Sequence, residues 1–362
     1  MKQSTSGSKP SDTMDVEKSL SGTSDGKGAG TEHSETLKSP LKAMKKRHRV
    51  RNHCVKFWLW WLIGVIVFLA IFLPLLFVKI IPAIVQNIIN KQDLPLLNAE
   101  IGAKSETELT FNFDTVFKIP GSMSARMDSM ELYIYNKFTP GYYPYTDVLL
   151  PKRGLEGSTT ISINESTPVL NDTEITKWLT KTFNDVTSDI SFRGKTTLHL
   201  GAIKSPIQID KTIAVAGLNQ LQGFALDSLQ LLSTPEADGT NVVGNLTLPN
   251  PSTITINFGD LIFNTSIADI QIGNVTVSNA KLLHGNNTIP FTGNLDVNTV
   301  VDNLSAISAN ATSDGDVQMV ISGGQCLIDG QHITYVEGAL DGISLATPFN
   351  LTEAISSLIG GT

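Results

Sequence analysis

The sequence predicts a mainly β protein that one helix holds in a membrane, and three observations support this fold class. Residues 57–78 form an apolar run of 22 residues without a charge. Beyond residue 98, short runs rich in β-branched residues alternate with Gly, Pro, Asn and Asp, which is typical of a β-sandwich or barrel. The net charge also changes sign at the run. Residues 1–56 hold 12 Lys/Arg and 6 Asp/Glu, whereas residues 57–362 hold 15 Lys/Arg and 28 Asp/Glu. We therefore expect the two parts to face different compartments.

Residues 1–56 are predicted to be a disordered, basic cytosolic tail. Residues 1–40 are rich in Ser, Thr, Gly, Lys and Asp, so they bury too little apolar area to offset the entropy of ordering. Ser39 precedes a proline and is a candidate phosphorylation site, and Cys54 is a candidate for palmitoylation beside the membrane. A basic cluster follows, made of Lys42, Lys45, Lys46, Arg47, Arg49 and Arg51. We interpret it as a topogenic signal alone, a contact for anionic lipid head groups, or a nuclear signal.

The apolar run 57–78 is predicted to be a transmembrane helix, since about 20 helical residues cross the hydrocarbon core of a bilayer. A cleaved signal peptide is disfavoured because 56 residues precede the run, so a retained signal anchor is expected. A buried core helix is disfavoured because aliphatic residues cover every face. Trp58, Trp60 and Trp61 suit an interfacial belt, and a kink is expected at Pro74.

The orientation follows from the basic residues, which cluster before the run and are represented only by Lys79 and Lys91 in the stretch after it. Positive charge stays cytoplasmic, so residues 79–362 are predicted to be lumenal or extracellular, in a vacuolar or other internal membrane or in the plasma membrane. All candidate N-glycosylation sites agree with this, since they follow the run: Asn164, Asn171, Asn245, Asn264, Asn274, Asn286, Asn303, Asn310 and Asn350.

The two cysteines lie on opposite sides of the membrane in this topology, so Cys54 and Cys326 cannot pair within one chain. Cys326 lies in a predicted strand. We interpret it as a buried, inert thiol or as one half of an intermolecular disulfide.

The region beyond the membrane is predicted to begin with a linker at 79–97, in which Ile80–Asn90 forms an amphipathic segment. A first β-sandwich unit is placed at 98–216 and a second at 244–362, with an inter-unit segment at 217–243. Each unit contains a predicted helix, at Glu174–Val186 and at Asn298–Ile307.

The helices indicate an internal repeat, because similar predicted strands surround both of them. Strand 157–163 precedes the first helix, and strands 190–200 and 207–215 follow it. Strand 291–297 precedes the second helix, and strands 317–328 and 332–338 follow it. Asp172 or Thr173 is predicted to cap the first helix and Asn298 the second.

A resemblance to a known family rests on the basic tail, the single span, the Asn-rich β-region and the stretch Leu248-Pro249-Asn250-Pro251-Ser252. This layout resembles fungal single-pass membrane proteins of largely uncharacterised function, whose outer regions are related to late embryogenesis abundant (LEA) type 2 domains. The resemblance covers residues 80–362. It implies two tandem LEA type 2-like sandwiches of immunoglobulin-like or fibronectin-like appearance. It carries over no catalytic residue, and the first unit has Lys118-Ile-Pro120-Gly121 in place of the Asn-Pro stretch.

The sequence gives no strong indication of catalysis, since it lacks an H-E-x-x-H or C-x-x-C motif and a phosphate-binding glycine loop. We therefore expect a protein that is not an enzyme and needs no metal or cofactor. An acidic outer region also argues against nucleic acid as a partner.

Three hypotheses on function remain. The first is an interaction module for a lumenal or extracellular protein, with a regulatory cytosolic tail. The second is binding of a lipid or apolar ligand by the outer domains, in a cleft beside Trp178, although the apolar stripe that contains Trp178 is more typical of core packing than of a ligand site. The third is a cell-surface protein for adhesion or contact with the wall.

Overall fold

The computed structural model describes residues 41–92, 94–119 and 124–350, with side chains from Phe57 onward. The protein is mainly β, with 53% of residues in strands and 24% in helices, as predicted. The described chain divides after Phe68 into two compact units.

Helix α1 (Leu41–Leu75) contains the apolar run, and a π-helical turn (Leu76–Ile80) connects it to helix α2 (Ile81–Lys91). Among the described residues, one helical stretch, Phe57–Lys91, is long and apolar enough to cross a membrane. Pro74 lies inside α1. A proline removes a backbone donor from the helix, and the π-helical turn follows directly after it.

The structure differs from two of the predicted segments near the membrane, the disordered tail and the linker. Residues 41–56 were assigned to the disordered tail, but α1 begins at Leu41. The Leu, Ala, Met, Lys and Arg residues there are good helix formers, and adding turns to an existing helix is favourable. The predicted linker 79–97 is helical up to Lys91, because an apolar face of α2 packs on the β-region.

The β-region contains two sets of strands. The first set comprises β1 (Leu96–Ser105), β2 (Glu108–Lys118), β3 (Ser124–Met127), β4 (Met130–Tyr135), β5 (Pro144–Leu150), β6 (Arg153–Glu156), β7 (Ser158–Pro168), helix α3 (Asp172–Asn184), β8 (Thr187–Leu200) and β9 (Ile203–Ala216). The second set comprises β10 (Ala225–Leu231), β11 (Val242–Asn250), β12 (Ile254–Asn257), β13 (Asp260–Ile267), β14 (Ile270–Val277), β15 (Lys281–Leu282), β16 (Gly285–Leu295), helices α4 (Val297–Asp302) and α5 (Leu304–Ala309), β17 (Asp316–Ile328), β18 (Gln331–His332), helix α6 (Thr334–Leu340) and β19 (Ser344–Asn350).

These strands form three sheets. Sheet A has the order β15-β12-β1-β2-β7. Sheet B has the order β5-β4-β8-β3-β6, with β9 also paired to β8. Sheet C has the order β10-β11-β16-β14-β13-β17-β18, with β19 paired to β17. Sheets A and B pack face to face around one small apolar cavity of about 30 Å³. The cavity is lined by Ile101 and Phe111 of sheet A and by Ile134 and Phe192 of sheet B. Sheet C encloses a second core that includes Ile307 of α5.

The pairing pattern of the first set recurs in the second. Strand β2 pairs with β1 and β7, and β11 pairs with β10 and β16. Strand β4 pairs with β5 and β8, and β13 pairs with β14 and β17. Strand β3 pairs with β6, and β12 pairs with β15. The last antiparallel pairs are β8 with β9 and β17 with β19.

The two sets share sheet A, because β12 of the second set pairs in parallel with β1 of the first. The register places Ala99 opposite Ile254 and Gly102 opposite Asn257. The segment 217–243, predicted to separate the units, carries strand β10, the edge strand beside β11. Three leucines of β10 pack against the second core: Leu226, Leu229 and Leu231. The segment is therefore part of the second strand set.

Four local predictions are corrected or refined. Helix α3 begins two residues before the predicted helix and ends at Asn184, two residues before the predicted end, and its N-cap is Asn171, whose side chain accepts a hydrogen bond from the backbone N–H of Glu174. The predicted helix 298–307 is two short helices divided at Asn303. Its cap is Asp296, which accepts from the N–H groups of Asn298 and Thr299. The predicted strand 332–338 is mainly helix α6, because Tyr335 and Val336 are buried against the β-region.

The Asn-Pro stretch ends strand β11 with a buried hydrogen-bond hub. Asn250 is fully buried, and its Nδ2 donates to the carbonyl oxygens of Ile254 and Leu282, both at 2.9 Å. Its Oδ1 accepts from the backbone N–H of Ser252, also at 2.9 Å. The side chain thus connects the ends of β11, β12 and β15 at the point where the second set joins sheet A.

Candidate functional site

Helix α2 lies against strand β9 of sheet B and is held there by side chains. Gln86 donates from Nε2 to the carbonyl oxygen of Gln208 at 2.6 Å, and its Oε1 accepts from the N–H of Gln208 at 2.8 Å. Lys211 donates from Nζ to the carbonyl oxygens of Asn90 and Gln92 at 2.5 and 2.8 Å. The positive charge of Lys211 near the C-terminus of α2 is favourable because of the helix dipole. The bonds of Gln86 satisfy backbone groups of the edge strand β9 that otherwise lack hydrogen-bond partners in the sheet. The helix is therefore a fixed part of the β-region.

An apolar groove of about 500 Å³ lies between α2 and the neighbouring ends of sheets A and B. From α2 it is lined by the isoleucines and valine of the helix face, and from the sheets by Phe117, Ile119, Leu198, Leu200 and Ile203. Lys118 and Ser124 are its polar lining residues. A volume in this range suits a small-molecule site, and apolar walls select an apolar ligand.

The lining of this groove is mainly apolar. Its described wall residues include no carboxylate, imidazole or thiol. Among the described residues, no three His, Cys, Asp or Glu side chains form a group that holds a metal. The amino group of Lys118 is the one charged group in the lining, and it suits the polar end of an amphiphile.

The sequence favours core packing for the apolar stripe that contains Trp178, with a ligand cleft beside it as the alternative, and the structure confirms the packing. Trp178 is 1% exposed, donates from Nε1 to the carbonyl oxygen of Asp189 at 3.0 Å, and stacks on Tyr145 with ring centroids 6.0 Å apart. Its stripe is packing in the first core. The sequence signal that could have indicated the groove is a second apolar face on Ile80–Asn90. One face, with Val85 and Ile89, is buried on the sheet, whereas Ile84 on the other is exposed.

The sequon asparagines divide by exposure. Asn164, Asn245, Asn264, Asn274, Asn286 and Asn310 are exposed. Asn171, Asn303 and Asn350 are half-buried, and their side chains take part in local hydrogen bonds. The first group is the more accessible to glycosylation, so it remains the stronger prediction.

The predicted sites before the membrane run have no described side chains. Ser39 lies outside the described residues. Cys54 and the basic cluster are in helix α1, for which the structure gives the backbone only.

Cys326 is buried, as one of the two interpretations of the sequence predicts. Its Sγ donates to the carbonyl oxygen of Phe258 at 2.9 Å, and burial raises the pKa of the thiol to about 12. Because the side chain is 0% exposed, the sulfur has no access to a second chain.

Cys326 is expected to resist alkylation in the folded protein. At pH 8 a pKa of about 12 leaves roughly 1,000-fold less thiolate than the ordinary value of 9.0, and the thiolate is the reactive form. Iodoacetamide labelling of the peptide that contains Cys326, quantified by mass spectrometry, should be slow in buffer and complete in denaturant. Rapid labelling in buffer would contradict the buried thiol.

Comparisons with known proteins give one partial family match. A family model described as a protein of unknown function (DUF3712) matches residues 143–265, from the start of β5 into β13. No curated protein matches the sequence.

Two solved structures show distant likeness. A red sea bream transglutaminase is 10% identical over 72% of this chain and 31% of its own, with a TM-score of 0.20. The CupB6 tip adhesin from Pseudomonas aeruginosa is 8% identical over 71% of this chain and 94% of its own, with a TM-score of 0.16. This chain thus spans under a third of the transglutaminase, and at these TM-scores neither likeness bears on fold or function.

Proposed function

We propose that this protein is a non-enzymatic, single-span membrane glycoprotein whose lumenal or extracellular region binds an apolar chain, such as a lipid acyl chain. The observation that carries the proposal is the apolar groove of about 500 Å³ between α2 and the sheet ends. The helix that forms one wall begins directly after the membrane run, so the groove lies next to a source of lipid along the chain.

The groove changes the order of the hypotheses drawn from the sequence. Ligand binding now has a site with defined walls, so it stands ahead of an interaction module with a regulatory tail. Both share the proposed topology, with residues 1–56 cytosolic and residues 79–362 across a vacuolar, other internal or plasma membrane. The basic cluster on one side and the sequons on the other support this topology.

We also propose that the β-region consists of two LEA type 2-like sandwiches that arose by duplication. The matching pairing patterns of the two strand sets support the duplication. The position of a helix after β7 and again after β16 supports it as well. The Asn-Pro stretch belongs to the second set, where Asn250 ties three strands together.

Photo-crosslinking tests the ligand. The full-length protein is placed in nanodiscs that contain a phospholipid with a diazirine in its acyl chain, and crosslinked peptides are mapped by mass spectrometry. Peptides that cover Phe117–Ile119 and Leu198–Ile203 should be labelled. Ser124→Trp fills the groove and Ile84→Glu places a charge in it, so each should reduce this labelling at least roughly fivefold.

The control is Asn87→Glu, which adds the same charge to the same helix at an exposed position outside the groove lining. Labelling of the β-region peptides should stay as in the wild type. Labelling confined to the transmembrane helix, or equal labelling in all variants, would refute the lipid-binding proposal.

A further inference from the structure

The outer face of sheet B carries two adjacent rows of polar and aromatic side chains across four strands. In the first row Asp147 of β5 is opposite Tyr133 of β4, Tyr133 is opposite Arg193 of β8, and Arg193 is opposite Asp210 of β9. The next row continues on the same face with Leu149, Glu131, Lys195 and Gln208. Side chains two residues apart on a strand share a face, so the rows form one continuous surface.

Arg193 is fixed at the centre of this surface. Its guanidinium lies over the rings of Tyr142 and Tyr135, 4.6 and 5.1 Å from their centroids. Asp210 accepts from Arg193 Nη2 at 2.7 Å and from the Tyr135 hydroxyl at 3.0 Å. Tyr133 donates its hydroxyl to Glu131 at 2.7 Å. These contacts hold the aromatic rings in place before any ligand arrives, which lowers the entropy cost of binding.

An open cavity of about 660 Å³ lies over the two rows. Its lining includes Glu131, Tyr133, Tyr142, Arg193, Lys195 and Gln208. The ring of Tyr142 is 40% exposed, so it offers an accessible aromatic surface beside hydrogen-bonding groups. None of the lining residues belongs to the apolar groove under α2, so this surface is a separate site.

The charges of the site disfavour an anionic ligand. The rows contain two basic residues, Arg193 and Lys195, and three acidic ones, Glu131, Asp147 and Asp210. Arg193 is already paired with Asp210. Of the acidic residues in the two rows, Glu131 lines the cavity, together with the rings of Tyr133 and Tyr142. The site therefore presents a carboxylate acceptor beside aromatic rings, and it suits a ligand that donates hydrogen bonds and carries no negative charge.

We infer that this face binds a neutral oligosaccharide. Sugar hydroxyls donate to the Glu131 carboxylate and accept from Lys195 and Gln208, all of which line the cavity. The C–H faces of a sugar ring are apolar and pack on an aromatic ring such as Tyr142. The proposed topology places this face in the lumen or outside the cell, the side on which polysaccharide and glycans occur.

The test measures binding of oligosaccharides to the full-length protein in nanodiscs by isothermal titration calorimetry and by saturation-transfer NMR. The protein's own N-linked glycans are first trimmed with an endoglycosidase, so that they do not compete. The neutral probes are short oligomers of glucose, mannose and N-acetylglucosamine. A chitosan oligomer supplies a cationic probe on the same backbone as the N-acetylglucosamine oligomer, and a sulfated oligosaccharide supplies an anionic one.

At least one neutral oligomer should bind, and Tyr142→Ala should weaken it about tenfold, the effect of losing one well-placed aromatic contact. Tyr143→Ala removes the next tyrosine, which is 53% exposed and outside the lining, and should leave affinity within twofold. Absence of binding by every neutral oligomer, preference for the sulfated or the amine-bearing probe, or equal losses in the two tyrosine variants would each overturn the inference.

Discussion

Replacing Asn250 with aspartate is expected to lower the free energy of unfolding by about 3–5 kcal/mol, the usual effect of leaving a charged group buried without its partners. The amide group donates to the carbonyl oxygens of Ile254 and Leu282. A carboxylate has no hydrogen to donate there, so two buried carbonyls lose their donors and face a negative charge. In thermal denaturation of the purified protein, the β-region should melt roughly 10 °C lower than in the wild type.

The matched control is Asn257→Asp in the neighbouring strand. Asn257 is half-buried, and its Oδ1 accepts from the N–H of Gly259 at 3.3 Å, a bond that aspartate retains. Its melting temperature should change by no more than about 2 °C, as for most substitutions that keep their contacts. Equal shifts in both variants would show that a new charge, rather than the lost amide donors, is responsible.

Truncation of Trp178 to alanine is expected to destabilise the protein by about 3–5 kcal/mol, as for other large aromatic residues in a core. The indole is 1% exposed and stacks on Tyr145, so its loss leaves a cavity that the packed sheets fill poorly. The carbonyl oxygen of Asp189 also loses its donor. Urea denaturation followed by circular dichroism measures the change.

Two further variants separate the causes of this effect. Trp178→Phe keeps most of the ring and removes the N–H, so it should lose about 1–2 kcal/mol. Val186→Ala, at a position that is 65% exposed just beyond α3, should change stability by less than about 0.5 kcal/mol. A stability of Trp178→Ala near that of Val186→Ala would contradict the packed position of the indole.

Local sequence patterns predicted those helices and strands whose structure is determined by their own residues. The spacing of Ile175, Trp178, Leu179, Phe183 and Val186 predicted helix α3. The first four are buried on one face, whereas Val186 lies beyond the end of the helix and is 65% exposed. Helix α6 was missed because Ile333 and Tyr335 alternate in a β-like manner. Its side chains are buried against helix α3, which lies far along the chain, and against β17, and this packing overrides local preference.

The candidate sites depend on contacts that no local pattern contains. The groove combines α2 with residues of β2, β3, β8 and β9, and Gln86 meets Gln208 across 122 positions. The rows on sheet B depend on the register of four strands, and a shift by one residue would turn every side chain to the other face. The sequence nevertheless indicated the apolar character of Ile80–Asn90 and predicted two of the four strands that carry the rows, at 190–200 and 207–215.

The parallel pairing of β1 with β12 makes the two halves of the β-region mutually dependent. Sheet A is complete only when a strand from the second half lies along the first strand of the first half. A chain that stopped after β9 would leave β1 with one side unpaired, an open template for aggregation. The two strand sets are thus joined through a shared sheet. Transferring one set into another protein would require a new partner for the strand whose edge is left open.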